Sequence, residues 1–356
     1  MTTTLDLAAI DYSYWMKAAL SLAAHGTGYT QPNPAVGAIV LDSSGRLVGS
    51  GFHERAGAPH AEVLALAAAG DRARGGTLVV TLEPCCHEGR TPPCTQAILA
   101  SGIERVVAAH SDPDARVSGR GFAVLRRAGV DVVEGIEALA ALKLNHKYLH
   151  YKSTGRPWVT LKLAMSLDGR IADHTGESRW ISSAAARQHA HRLRGQHEAI
   201  LVGAGTALAD DPELSLHGAP GLAPRRFVLV GQRELPSSLK LFQGELPATR
   251  IGVDHRADWV TTAGSGGWPD PASLVERLGR EGITSLLVEG GGRVAASFLA
   301  ARVVQQAVLY YAPLFLGEGA GALTGAAFAL DGAPALSEVE LESLEGGFVV
   351  SGRVDS

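Results

Sequence analysis

All three cysteines of the chain, Cys85, Cys86 and Cys94, fall within ten residues, and this crowding constrains the fold more than any other feature. Thiols so close in sequence make a poor disulfide framework but a natural cluster of metal ligands or reactive groups. Upstream, His60-Ala61-Glu62 opens the helical run HAEVLALAAA, whereas Pro84-Cys85 follows the buried-type strand TLVVTLE and Cys94 leads into a helix around TQAILAS. One imidazole and two thiolates can therefore converge near two helix N-termini.

Zinc accepts such nitrogen and sulfur ligands in tetrahedral geometry, and three protein ligands, His60, Cys85 and Cys94, leave a fourth position for water. Helix N-termini favour the ionised sulfurs, and a bound zinc acidifies water towards neutrality. Glu62, two residues from His60, is suited to moving a proton between that water, a ring nitrogen and departing ammonia. A HxE element followed by PCxxC is the signature of zinc deaminases; here eight residues, not two, separate Cys85 from Cys94. A closed structural zinc site is the plainer alternative, but it needs a fourth protein ligand and no carboxylate beside its histidine.

With 356 residues the chain exceeds what one core usually serves, so two domains are expected. A helix (DYSYWMKAALSLAA) and a hairpin (AVGAIVL, LVGSGFH) are followed by alternating helices and strands as far as VDVVEG. The segment HKYLHYKSTGRP breaks this rhythm with polar, basic and turn residues, which places a boundary there, between residues 1–150 and 151–356. A second α/β series begins at WVTLKLAMS, and the tail beyond Gly317 is too rich in Gly and Ala to assign. The formal charge of −4 supplies no global attraction for nucleic acid or anionic membranes. The start lacks the basic and apolar regions of a secretory signal, so a cytoplasmic protein is expected. No GxGxxG follows the first strand of the second series, so a nicotinamide cofactor would be held otherwise than in a Rossmann fold.

Over residues 11–150, PNPAVGAIV, GFHERAGAPHAEVLAL and TLEPCCHEGRTPPC resemble the riboflavin-biosynthesis deaminases. Over about 156–320, LKLAMSLDGRIA, GESRWIS, LVGAGTALADDPEL and LLVEGGG resemble, in order and spacing, the reductase domain of the same bifunctional family. The resemblance implies an α/β fold in two parts. These are an N-terminal cytidine-deaminase-like α/β/α sandwich and a C-terminal dihydrofolate-reductase-like α/β domain. It implies zinc at His60, Cys85 and Cys94, with Glu62 catalytic and Cys86, where the family usually carries serine, outside the ligand set. Asn33, His87 and Arg90 become deaminase substrate contacts.

In the second half the resemblance assigns NADPH contacts to Ala164, Trp180, Thr206, Asp210, which it also makes catalytic, and the loop Gly291, Gly292, Arg293, Val294, Ala295, Ala296 and Ser297. Ser178, Arg194, Leu214, His217 and Glu289 map to its substrate pocket. Locally these residues read more plainly: Arg194 as a solvated helical charge, Trp180 as a core aromatic, and Asp210, after a strand and loop, as a turn or cap residue. Two positions depart from the family. His217 stands where these reductases commonly place an arginine against the substrate phosphate, and Arg293 is unusual within the glycine loop. The implied substrate is a pyrimidine ribotide, with further copies of the chain as the expected partner and no nucleic acid or membrane.

Overall fold

The computed structural model describes residues 10–88, 92–114, 117–231 and 233–355. It resolves the chain into two compact units, residues 1–153 and 154–356.

The first unit contains α1 (Tyr12–Ala24), β1 (Gly37–Leu41), β2 (Leu47–Phe52), α2 (Ala61–Ala69), β3 (Thr77–Val80), α3 (Cys94–Ser101), β4 (Arg105–Ala108), α4 (Arg120–Arg127), β5 (Asp131–Glu134), α5 (Ala138–Leu144) and α6 (His146–Thr154). The strands form one sheet in the order β2-β1-β3-β4-β5, with β3, β4 and β5 parallel. Strand side chains alternate between faces, and the two cores follow that alternation. Ala38, Val40, Leu78, Val80, Val106 and Ala108 pack with residues of α2, α3 and α4. Ile39, Leu41, Val79 and Val107 pack instead with Met16 and Ala19 of α1 and Ala141 of α5. A Cβ at Gly37 would lie 2.0 Å from the carbonyl oxygen of Ala19, so the closeness of α1 to the sheet requires glycine there.

Residues 146–154, expected as a turn-rich break, are instead the helix α6. Tertiary contacts override the polar sequence. The buried amide of Asn145 accepts from Ala35 N at 2.8 Å and donates to Ala35 O at 2.9 Å. Tyr148 donates to Asp112, and Lys152 pairs with Asp114 at 2.8 Å.

The second unit runs through β6 (Trp158–Ser166), β7 (Arg170–Asp173), α7 (Ala184–Gly195), β8 (Ala199–Gly203), α8 (Ala204–Asp210), β9 (Arg225–Leu229), β10 (Thr249–Gly252), β11 (Trp259–Val260), α9 (Pro271–Arg280), β12 (Ser285–Val288), α10 (Gly292–Ala300), β13 (Gln306–Ala312), β14 (Gly319–Gly321), β15 (Ala335–Leu344) and β16 (Gly347–Asp355). Its nine-stranded sheet has the order β11-β10-β9-β8-β12-β6-β13-β16-β15. The central strands β8, β12, β6 and β13 are parallel, so the loops at their carboxyl ends lie side by side. Leu286 and Val288 face a core shared with α9 and α10, whereas Leu287 faces one shared with α7. The tail left unassigned from its composition contains the antiparallel hairpin β15–β16, because pairing with β13 supplies the backbone partners that local propensity did not announce.

Candidate functional site

In the first unit the carboxyl end of β3 and the N-termini of α2 and α3 meet. His60 precedes α2, and Cys94 is the first residue of α3. The donor atoms of His60, Cys85 and Cys94 all lie within 4.8 Å of one another. His60 Nδ1 is 3.1 Å from Cys94 Sγ and 3.6 Å from Cys85 Sγ. A tetrahedral zinc with bonds near 2.0–2.3 Å would hold such atoms about 3.6–3.8 Å apart, so the set fits that ion with little movement. Cys86 does not belong to this group. None of the cysteines is in a disulfide.

The electrostatics suit a cation. The hydrogen bond from the Cys94 thiol, with His60 next to it and the amide of Cys94 donating at 3.3 Å, draws the Cys85 thiol down to about 4. Cys94 is pushed up by the same shared proton and by burial. Its contact with Cys85 raises His60. Glu62 is buried at 3% exposure, and burial raises its carboxyl above the ordinary range while it shares a hydrogen bond with Cys94. A carboxyl so placed takes up and returns a proton more readily than a solvated one.

Asn33 reaches this centre through an intermediary that sequence reasoning missed. Its Nδ2 donates to Nε2 of the buried His53 at 3.2 Å, and His53 Nδ1 donates to the carbonyl of Pro59 at 3.1 Å, beside His60. The two rings meet edge to face with centroids 5.4 Å apart, and burial holds His53 in the neutral form this pattern needs. Glu83 was missed as well. Its carboxylate accepts from the amides of Asp112, Gly119, Gly121 and Phe122, anchoring the segment that carries Cys85 to the start of α4. An acidic residue ending an apolar strand was the available signal. His87 is half-buried, with a buried Nδ1 that has no hydrogen-bond partner among the described residues. Arg90 lies outside the described residues.

In the second unit, the carboxyl ends of the parallel strands open into a cavity of about 580 Å³. Open α/β sheets bind their ligands at this edge. Ala164, Ser178, Trp180, Thr206, Asp210, Gly291, Arg194, Leu214, His217 and Glu289 all line it. Arg194 is no solvated charge: its guanidinium grips Glu289 at 2.8 and 3.0 Å and donates to Ser215 O. Burial alone would raise Glu289, but Arg194 and Lys162 outweigh it and hold the carboxyl at about 2. Trp180 is no core residue either, since it is 70% exposed under the guanidinium of Arg187, 4.3 Å from its ring centre. Asp210 ends the helix α8 instead of lying in a loop, and its carboxylate accepts from Ser178 Oγ at 3.0 Å.

The glycine run separates into parts. A Cβ at Gly290 would lie 2.6 Å from that of Val294, and one at Gly292 would lie 2.3 Å from the carbonyl of Gly321, so packing demands glycine at both. Gly291 is the N-cap of α10, whose first amides have no partner within the helix and suit an anionic group. Gly292 to Ser297 do not line the cavity, and the side chains of Ala295 and Ala296 are buried in the core, which leaves them only backbone to offer a cofactor. Arg293 and Ser297 are exposed. Lys162, His191 and Tyr310 line the cavity and were missed. Only Lys162 carried a local signal, a cation inside an apolar strand.

Residues 10–110 match the family model described as the cytidine and deoxycytidylate deaminase zinc-binding region, and residues 157–350 match the one described as the RibD C-terminal domain. The riboflavin biosynthesis protein RibD of Aquifex aeolicus is 43% identical over 318 residues, covering 87% of this chain and 89% of the relative. That of Escherichia coli is 41% identical over 331 residues, covering 87% and 90%. Among solved structures, RibD of Acinetobacter baumannii superposes with a TM-score of 0.88 at 33% identity, covering 97% of this chain and 99% of the other. A diaminohydroxyphosphoribosylaminopyrimidine deaminase/5-amino-6-(5-phosphoribosylamino)uracil reductase of Thermotoga maritima gives 0.87 at 34% identity, with the same coverage. The matches carry the expected fold class, a deaminase-like part followed by a dihydrofolate-reductase-like part.

Proposed function

The chain belongs to the RibD family of riboflavin biosynthesis proteins, and from that premise we propose how its residues divide the work of a zinc-dependent deaminase and an NADPH-dependent reductase. The first unit removes the 2-amino group of 2,5-diamino-6-ribosylamino-4(3H)-pyrimidinone 5′-phosphate. The second reduces the ribosyl group of the deaminated product, giving 5-amino-6-(5-phosphoribitylamino)uracil. The observation that carries this reading is the convergence of His60, Cys85 and Cys94 beside a buried carboxyl.

His60, Cys85 and Cys94 hold zinc, which supplies Lewis acidity and brings an attacking water's pKa towards neutrality. Glu62 carries two protons in turn, the first from that water to the ring nitrogen and the second from the hydroxyl left on the ring carbon to the amino group that departs as ammonia, so its carboxyl ends each cycle as it began. Asn33, fixed by His53, orients the pyrimidine, and His87 and Arg90 contact it from the segment between the two ligand cysteines.

In the second unit Ala164, Trp180, Thr206, Asp210 and the backbone of residues 291–297 hold NADPH, which supplies the hydride. Ser178, Arg194, Leu214, His217 and Glu289 position the ribosyl phosphate. The ion-paired Arg194 and Glu289 present a fixed dipole to the sugar instead of two mobile charges. A cytoplasmic location and a homo-oligomeric state complete the proposal, the latter measurable by size-exclusion chromatography with light scattering.

The test is an assay on the purified protein that follows ammonia release and NADPH oxidation separately, together with metal analysis. One zinc per chain, and ammonia release that precedes NADPH oxidation, are expected. Zinc-loaded protein that releases no ammonia from the ribotide would overturn the reading.

A further inference from the structure

The cavity of the second unit contains a pair of histidines that the reaction just described does not employ as a pair. His191, on α7, and His217, on the loop after α8, stack with ring centroids 4.4 Å apart and planes inclined by 34°. Both line the cavity. Among the described residues, no ring nitrogen of either is hydrogen-bonded to the protein. The backbone of His217 has a φ of +47°, a conformation few non-glycine residues adopt, so its ring is held against His191 at some local cost.

The cavity that holds the pair is lined by five cations, Lys162 from β6, Arg187 and Arg194 from α7, with Arg179 and Lys240, and by four carboxylates, Asp210 at the end of α8, Asp211 and Glu213 after it and Glu289 after β12, with Tyr310 from β13. Three nitrogens of Arg194 are committed, Nε and Nη2 to Glu289 and Nη1 to the carbonyl of Ser215. Lys162 Nζ lies 3.7 Å from the same Glu289 carboxylate. Across the cavity lining, five cations against four carboxylates leave a single surplus positive charge. A phosphate monoester, with a second pKa near 6, carries close to two negative charges at neutral pH. The wall is one positive charge short, and the groups with free nitrogens that can acquire it are the stacked imidazoles.

We propose that His191 and His217 form a proton-accepting anion subsite, so that the ribotide phosphate binds together with one proton taken up from solvent. The inference rests on the reading of this cavity as the ribotide site. Without an anion a second positive charge is disfavoured here: burial first, then Arg194 and the neighbouring His217, hold His191 down to about 4. An arriving dianion reverses that balance, because its second negative charge offsets the repulsion that Arg194 and Lys162 exert on an imidazolium. A titratable pair here stands in for a cation that would be charged at every pH. Its affinity for phosphorylated substrate therefore becomes a function of pH.

The experiment is calorimetric titration of the intact zinc protein with the already deaminated ribotide, without NADPH, in buffers of differing ionisation enthalpy between about pH 6 and pH 8. The slope of observed enthalpy against buffer enthalpy counts the protons. The wild type is expected to take up about one more proton per site than H217N, whose asparagine tolerates the positive φ, or H191Q, and its affinity should weaken by up to about tenfold per pH unit more than theirs. H217R, which supplies the missing charge permanently, should bind more tightly with no excess proton. Equal proton counts in the wild type and H217N, with binding intact, would overturn the inference alone. Absence of ribotide binding at every pH would remove the reading of the cavity as well.

Discussion

At the residue scale, the metal centre separates three chemically similar neighbours by where their side chains point. Cys85 and Cys94 face His60 Nδ1, whereas Cys86, adjacent in sequence to one of them, stands outside the group. C86S should therefore retain zinc and C94S should lose it, as measured by metal analysis after dialysis; the opposite pattern would show that the wrong thiol has been assigned. Glu62 occupies the buried position beside the ligands without being one of them. E62Q should keep its zinc and fold, yet release ammonia about 100- to 10,000-fold more slowly, the usual contribution of a positioned proton carrier. Near-normal ammonia release from this variant would exclude Glu62 from the chemistry. The placement of these residues was legible in the chain itself, because HAE and PCC each sit where a helix start or strand end was readable. His53 was not, since its connection to Asn33 and Pro59 depends on how β2 ends against the loop before α1's neighbour β1, which no local pattern records.

At the scale of elements, the clearest discrepancy is α6, whose polar sequence announced a break and whose contacts make it a helix. Asn145, at its start, satisfies both backbone groups of Ala35 from 110 residues away. Removing that amide leaves a buried N–H and C=O unpaired, so N145A should cost about 3 kcal/mol. The thermal transition of the first unit, followed by zinc release, measures it, and an unchanged midpoint would show that water replaces the side chain. In the second unit α7 and the end of β12 are joined by Arg194 and Glu289. Glu289 is held at about 2, below its unfolded value, so it stabilises the fold at pH values above that unfolded value, and this contribution disappears as pH falls through the window down to about 2. Acid titration of unfolding should be less steep over that range in E289Q than in the wild type, and identical slopes would place the acid sensitivity elsewhere.

At the scale of the whole molecule, each unit has its own cores, and every residue assigned to a site lies with the rest of that site in one unit. Lesions should therefore be separable. D210N, which disturbs the Ser178 contact at the end of α8, should slow NADPH oxidation about 100-fold and leave ammonia release intact. Mixing D210N with E62Q protein should restore overall conversion through the free intermediate, and failure of the mixture would mean that the intermediate does not pass between chains. The sequence by itself determined the alternation of strands and helices and the grouping of His60, Cys85 and Cys94 near Glu62, because helix and strand periods and the types of ligating residue are local properties of the chain. Only the tertiary structure decided that Arg194 is paired and half-buried, that Trp180 is exposed, and that Lys162, His191 and Tyr310 share a wall with Glu289. These residues lie on β6, α7, β12 and β13, and the order in which strands assemble into a sheet depends on contacts between segments distant in sequence, which no local pattern encodes.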